Sequence, residues 1–476
     1  MPAALLLAAL AAASGEEPRD RPNVLLIVVD DLRPELGCYG AASAVTPHVD
    51  RFAASGVLFS AAYCQVPTCG ASRASLFTGL RPERHRFRNY LARADEDAPG
   101  VPTLHGHFKR NGYRTVSLGK VLHHKTDTVD GWADPPWRPS APMYATAAAR
   151  DAQRENSAAR PGKSFAYGPP TEAGGVPDDF YADGKLAAEA AARLHRLAAG
   201  NEPFFLAVGF QKPHLPFVAP QQYWDLHPVE NVPDPAHPDR PDAPAAAFHK
   251  SGELRAYAGI PAKGPVDEAT ARRLIRGYRA AVSYADANVG RVLGALRETG
   301  LEDDTVVVVT SDHGWNLGEH GLWCKHSCFE TSLRVPLIVR APGRTPAGAT
   351  ADGLVELLDL YPTLCDLAGV PKPGHLAGAS LAAGLADPGT LGKPAAVSRY
   401  RRGDTLRTAR HRFTDYTDAK GGAAEPLGSM LYDHAADPGE TTNLAPAEPA
   451  VADELLNRLN AVAGDRRVRA GLTGGG

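Results

Sequence analysis

The sequence is short of cysteine, of charge imbalance and of long apolar runs, and each shortage closes off a class of protein. Six cysteines in 476 residues cannot build a disulfide scaffold. Lys plus Arg number 51 and Asp plus Glu 54, and the resulting net charge of -3 fits neither a nucleic-acid binder nor a strongly basic membrane-surface protein. No internal repeat is evident. The apolar run at residues 3–13, within MPAALLLAALAAASGEEPRD, is too short for a spanning helix, so no stable membrane insertion is expected. Small and then polar residues follow it, so residues 1–14 read as a signal peptide cleaved near Ala13, which implies export to the periplasm or beyond. The run has no Lys or Arg ahead of it, and an Ala-rich cytoplasmic tail is the alternative.

What is there is an ordinary globular composition, 43% hydrophobic and 22% charged, in a chain long enough for one large domain and a smaller appendage. Short β-branched and apolar runs alternate with Ala/Leu-rich helical stretches, which gives an α/β fold with a large, mostly parallel sheet covered by helices. Core strands are expected at 24–29, 114–117, 204–209, 305–310 and 336–340, and helices at 181–197 and 268–297. Pro- and Ala-rich stretches at 135–142 and 232–247 read as long loops of the kind that shape a cleft. The catalytic domain is placed at 20–380. A Gly/Ala/Pro-rich linker leads to a small α+β subdomain at 395–476, with short antiparallel strands and a helix near 451–463.

Open α/β sheets hold their sites at the carboxyl ends of strands. The run VLLIVV leads into Asp30 and Asp31. Two adjacent carboxylates at a buried strand end repel unless a cation lies between them, which points to a hard divalent metal; a turn with local Asp hydrogen bonds is the bland alternative. The run TVVVVT ends in SDHGWNLGEHG and offers Asp312 and His313, completing a four-ligand set. In YCQVPTCGASRASLFTGLRP, Cys69 sits where a loop enters a helix, with Ser72 and Arg73 close behind. Backbone N–H groups and a guanidinium there hold an oxyanion or lower a thiol pKa, unless Ser72 merely caps a helix turn around a buried Cys.

Lys120 and His123 follow another strand end, Lys212 and His214 flank Pro213 after a further one, and Lys325 lies in a charged stretch. Each alone reads equally as a turn or surface residue, and their shared placement after strands is the reason to group them. Trp315 offers a flat face to a sugar ring or else fills the core. Arg399, Arg402 and Arg407 of SRYRRGDTLR either pair with a uronate carboxylate or line a solvated hairpin. Cys38 and Cys365 read as structural, and His124, His320 and His326 as structural or as supporting the site residues from behind.

The segment CGASRASLFTG resembles the signature of the sulfatase family: Cys, then Pro or Ala two places on, then Ser-Arg, and shortly an apolar residue and Thr-Gly. The resemblance continues in the family's order through VVDDLR, TPHVDRFAASGVLF, SLGKVLHH, PFFLAVGFQKPHLPF, SDHGWNLGEHGLWCKHS and LYDHAADPGETTNLA. The pair Asp312 and His313, with KPH at 212–214, is similar to the iduronate 2-sulfatase branch and its bacterial relatives.

This resemblance implies an alkaline phosphatase-like fold and a sulfuric ester hydrolase. It implies that a formylglycine-generating maturation enzyme oxidises Cys69 to formylglycine (3-oxoalanine), whose hydrate attacks sulfur. One calcium ion per chain would be held by Asp30, Asp31, Asp312, His313 and an oxygen of modified residue 69. Arg73, Lys120, His123, Lys212, His214 and Lys325 would ring the sulfate, with His214 protonating the departing sugar oxygen and His123 taking up a proton when sulfate is expelled. Ala71 stands where Pro is commonest, which leaves the maturation system open. The expected substrate is a sulfated carbohydrate, with the 2-O-sulfate of a uronic acid favoured. Phosphate mono- and diesters, small choline-like alkyl sulfates, and glycan binding without catalysis are the alternatives.

Overall fold

The computed structural model describes residues 21–162, 167–420 and 423–463. The expected signal peptide at 1–14 and the last residues of the chain therefore lie outside the described residues.

The centre is an eight-stranded sheet built from β1 (Asn23–Val29), β2 (Val57–Tyr63), β3 (Arg114–Gly119), β4 (Phe204–Phe210), β5 (Thr305–Ser311), β6 (Arg334–Arg340), β7 (Ala349–Ala351) and β8 (Val355–Glu356). Its order is β7-β2-β6-β5-β1-β4-β3, with β8 also pairing β2. All neighbours pair in parallel except β6, which runs antiparallel to both β2 and β5. The sheet is thus mostly parallel, as expected. The strand β2 went unanticipated because SAAY interrupts its apolar run, and its neighbours rather than its own pattern define it.

Strands β1, β4 and β5 are buried along their whole length, which explains why they read as continuous apolar runs rather than alternating ones. Successive side chains of β1 divide between two cores. Val24, Leu26 and Val28 pack with Phe77, Leu360 and Leu364 on one face. Leu25, Ile27 and Val29 pack on the other with Leu186, Leu194, Leu274 and Leu293. The first face is covered by α1 (Cys69–Thr78) and α4 (Leu360–Leu367), the second by α2 (Ala182–Ala198) and α3 (Glu268–Glu298). Asp267 caps α3 by accepting the Thr270 N–H at 2.9 Å.

Beyond the main sheet, β9 (Ala396–Tyr400), β10 (Gly403–Arg407), β11 (His411–Lys420) and β12 (Ala423–Asp433) form an antiparallel meander. The helix α5 (Pro449–Ala463) covers it, with Leu455, Leu456 and Leu459 packed on Leu406, Phe413 and Leu431. A buried guanidinium joins this unit to the main body: Arg412 pairs with Glu330, and its Nε lies 2.7 Å from Glu440 Oε1.

Candidate active site

The carboxyl ends of β1, β3, β4 and β5 converge at one place. Helix α1 enters there with its first residue, Cys69, which is 2% exposed. The small residues of CGASRAS let this helix sit fully inside the protein, and Ser72 Oγ donates to Asp312 O at 2.5 Å, fixing it to the end of β5. The Cys69 Sγ lies 3.3 Å from His313 Nε2. A side chain at Gly209 would put its Cβ 2.1 Å from the Lys120 backbone, so glycine there lets the chain leaving β3 close on β4, where Lys120 N donates to Gly209 O at 2.7 Å.

Arg73 ties the carboxylates together. Its Nε donates to Asp312 Oδ2 at 2.8 Å, its Nη2 to Asp30 Oδ1 at 3.0 Å, and its Nη1 to the carbonyls of Lys120 and Val121. Lys120 Nζ pairs with Asp30 Oδ2, and Lys325 Nζ lies 3.1 Å from Asp31 Oδ2. Asp31, at φ 62, and the two neighbours of Lys325, Cys324 at φ 72 and His326 at φ 81, occupy the left-handed region. Each such residue costs on the order of 1–3 kcal/mol, a strain that the surrounding packing sustains at a site.

The electrostatics follow from burial among charges. Burial opposes ionisation of Asp30, but Lys120 and Arg73 outweigh it and hold the carboxyl well below its usual range. Burial wins at Asp31, with the charge of Asp30 adding to it against Lys325, and its pKa rises to about 7. Burial, reinforced by Asp30, pushes the Cys69 thiol well above its usual value, so the unmodified side chain is a poor nucleophile. Asp31 Oδ1 is buried without a hydrogen-bond partner. One ligand atom from each of Asp30, Cys69, Asp312 and His313 lies within 4.8 Å of the others, as do those of Asp30, Asp31, Cys69 and His214. An orphaned carboxylate oxygen among hard oxygen donors fits a divalent cation.

Above this cluster is a cavity of 620 Å³ lined by, among others, Cys69, Lys120, His123, His214, Glu253 and Lys325. Three sequence expectations need correction here. Trp315 is only 1% exposed: it lies beneath Lys325, whose Nζ is 4.8 Å from the ring centroid, and has no face for a sugar. Lys212 does not line the cavity, since its Nζ donates to His214 O at 2.6 Å and Pro216 O at 2.7 Å and so props the loop that carries His214. Arg73 likewise lies under the carboxylates, its nitrogens taken up by Asp30, Asp312 and the carbonyls of Lys120 and Val121, instead of ringing the cavity. His123 does line the cavity, and burial with the nearby Lys120 charge pushes its pKa down to about 2.

The hairpin arginines are paired: Arg399 with Asp404, Arg402 with Asp418 at 3.1 Å, and Arg407 with Glu330 at 3.6 Å. His326, read as structural or supporting, lines the cavity beside Lys325, whereas His124 and His320 bond to the carbonyls of Leu91 and Gly439. All six cysteines are free thiols, with Cys64 and Cys365 buried.

Sequence reasoning missed Glu253. Its Oε1 is 3.1 Å from His214 Nε2 and 2.9 Å from Lys325 Nζ. Burial opposes its ionisation, but Lys325 and His214 hold it well below the usual carboxylate range. It lies in SGELRAY, a loop segment with no strand end to announce it.

Known proteins resemble this chain along most of its length. The sulfatase family model matches residues 22–370, and the model of the N-sulphoglucosamine sulphohydrolase C-terminal region matches 318–465. Iduronate 2-sulfatase of Mus musculus is 37% identical over 405 residues, covering 76% of this chain and 71% of the relative. The Delta 4,5-hexuronate-2-O-sulfatase of Bacteroides thetaiotaomicron is 28% identical, over 90% of this chain and 85% of the relative. The phosphonate monoester hydrolase of Agrobacterium radiobacter shares the fold, with a TM-score of 0.73 at 24% identity over 93% of this chain and 96% of its own.

Proposed function

Because this chain belongs to the sulfatase family and is a sulfuric ester hydrolase, we propose that it removes sulfate from a sulfated carbohydrate, the 2-O-sulfate of a uronic acid being the favoured substrate group. Two relatives whose names specify 2-sulfated uronates support that choice. The observation that carries the reading is Cys69 at the cavity floor, 3.3 Å from His313 Nε2 and flanked by Asp30, Asp31 and Asp312.

In this reading Asp30, Asp31, Asp312 and His313, with residue 69, hold one calcium ion, and Cys69 carries the formylglycine modification installed by a maturation enzyme. When present, the metal and the aldehyde hydrate supply charge stabilisation and the nucleophilic oxygen. The remaining work falls to the chain's own side chains. Arg73 orients Asp30 and Asp312. Lys120 and Lys325 line the cavity as cations and oppose the negative charge that builds on sulfate oxygens.

His214 Nδ1 lies 2.6 Å from Leu215 O, which fixes the ring, and Nε2 is the nitrogen that delivers a proton once the departing sugar oxygen replaces its contact with Glu253. Glu253 accepts from that same Nε2 and so favours the protonated ring. His123 contributes a neutral hydrogen-bonding edge. Placement of the chain outside the cytoplasm rests on the apolar run at 3–13, and among the described residues no helix is long and apolar enough to cross a membrane.

The test is a desulfation screen on defined sulfated oligosaccharides, with aryl sulfate and aryl phosphate alongside. The protein is first shown by mass spectrometry to carry the modification, a loss of about 18 Da at residue 69. Release of sulfate from 2-sulfated uronate is the expected result. Activity confined to small alkyl sulfates or to phosphate overturns the substrate assignment.

A further inference from the structure

Arg138 lines the same cavity and comes from the Pro-rich loop at 135–142, which contributes nothing to the steps above. Its Nη2 donates to Leu122 O at 2.5 Å and His123 O at 3.2 Å. Its Nε is buried with no hydrogen-bond partner, and among the described residues no carboxylate pairs with the guanidinium. The other cations at the site are compensated: Lys120 by Asp30, Arg73 by Asp30 and Asp312, Lys325 by Asp31 and Glu253. Burial, with the like charge of Arg73, makes Arg138 a weaker base than an ordinary arginine, which is the cost of holding a cation with no counter-ion.

We propose that Arg138 determines specificity by binding a second anionic group of the substrate, the carboxylate of the uronate whose sulfate lies over residue 69. This rests on the sulfated-uronate reading given above. The scissile sulfate already has Lys120 and Lys325 in the cavity, so the charge of Arg138 is offset only when another oxyanion arrives. The two carbonyls hold Nη2 and so fix the guanidinium, and a planar, fixed cation suits a carboxylate better than a mobile ammonium does. A second sulfate on the sugar offers related oxyanion chemistry, and the choice of substrates separates the two.

The experiment compares wild type, Arg138→Ala and Arg138→Lys, each confirmed to carry the residue 69 modification and to melt near the wild-type temperature. The substrates are a 2-sulfated uronate disaccharide, the same disaccharide with its carboxyl reduced to an alcohol, the reduced form bearing one additional sulfate, and an aryl sulfate. Arg138→Ala is expected to raise KM for the carboxylated sugar about 10- to 100-fold, the range for a lost charge-assisted hydrogen bond. Its kcat/KM for the reduced sugar and the aryl sulfate should stay within about twofold, and Arg138→Lys should recover part of the loss.

An equal loss on all four substrates overturns the proposal, because it places Arg138 on the scissile sulfate or in the fold. A loss confined to the additionally sulfated, reduced sugar overturns the carboxylate assignment. Unchanged KM in both variants, with wild type active on the uronate, overturns the role of Arg138 alone. Wild type that hydrolyses aryl sulfate but no uronate overturns the substrate reading, and the role of Arg138 with it.

Discussion

Glu253 Oε1 stands 3.1 Å from His214 Nε2, placing a carboxylate in a cavity otherwise organised to receive an anion. Its charge is absorbed by the same Lys325 that balances Asp31. Glu253 therefore costs the anion-binding cavity little while favouring the protonated form of His214. Burial and Lys325 pull the His214 pKa down, and Glu253 opposes them. Removing that opposition by Glu253→Gln should move the alkaline limb of the kcat–pH profile to lower pH, since the imidazolium then loses its proton earlier. The accompanying fall in kcat near neutral pH should be about 10-fold or more. A profile that keeps its shape while dropping in height would refute this link.

Cys69→Ala removes one small buried group, and a cost of about 1 kcal/mol or less is expected from lost packing, read by denaturant titration. Turnover should vanish. Cys64→Ala, in a position equally buried, should cost similar stability and leave activity in place, which separates the nucleophile from its neighbour in sequence.

Metal removal should reverse the stability–pH slope contributed by Asp31. Without a cation its pKa of about 7 lies above the unfolded carboxylate value, so the folded state holds its proton more tightly. The stability this gives is present below pH about 4 and lost as pH rises toward 7. Added calcium binds the ionised form and should raise the melting temperature most at the upper end of that window. Melting curves at pH 5 and pH 7, with chelator and with calcium, read the difference; a calcium effect equal at both values counts against Asp31 as a ligand.

Arg412→Ala should be severe although it lies in the C-terminal meander. It leaves Glu440, which is 1% exposed, to His434 and the Glu330 N–H, and takes the nearest cation from Glu330, which follows the Lys325 loop by five residues. Breaking a buried pair from one side costs about 3–5 kcal/mol, measurable in urea. Arg410→Ala, whose ion pair with Asp433 is largely solvent-exposed on the arginine side, should leave the urea midpoint close to that of the wild type.

The sequence made the sheet and the carboxylate–imidazole cluster readable for one physical reason: fully buried parallel strands are unbroken apolar runs, and their polar continuations mark the site. Asp30, Asp31, Asp312, His313 and Lys120 all follow such runs, and the structure gathers them. The loops were illegible in the same terms. Glu253 and Arg138 lie in stretches with no periodicity, and only the folded chain reveals their neighbours. Trp315 and Lys212 were placed in the right vicinity but on the wrong side of it. Adjacency in sequence to a site residue does not say whether a side chain faces the cavity or supports it from below, and here the space left by Phe217 and the His214 loop decides.

Trp315 acquires a different use from its position under Lys325. An indole buried 4.8 Å from an ammonium, with the His214 ring tilted to it at 6.4 Å, carries its emission into the centre of the site. Any event that moves charge at Asp31, Lys325 or His214 will register as a spectral shift without a label, so cation uptake and ligand entry can be followed in real time from a signal that Trp315→Phe would abolish.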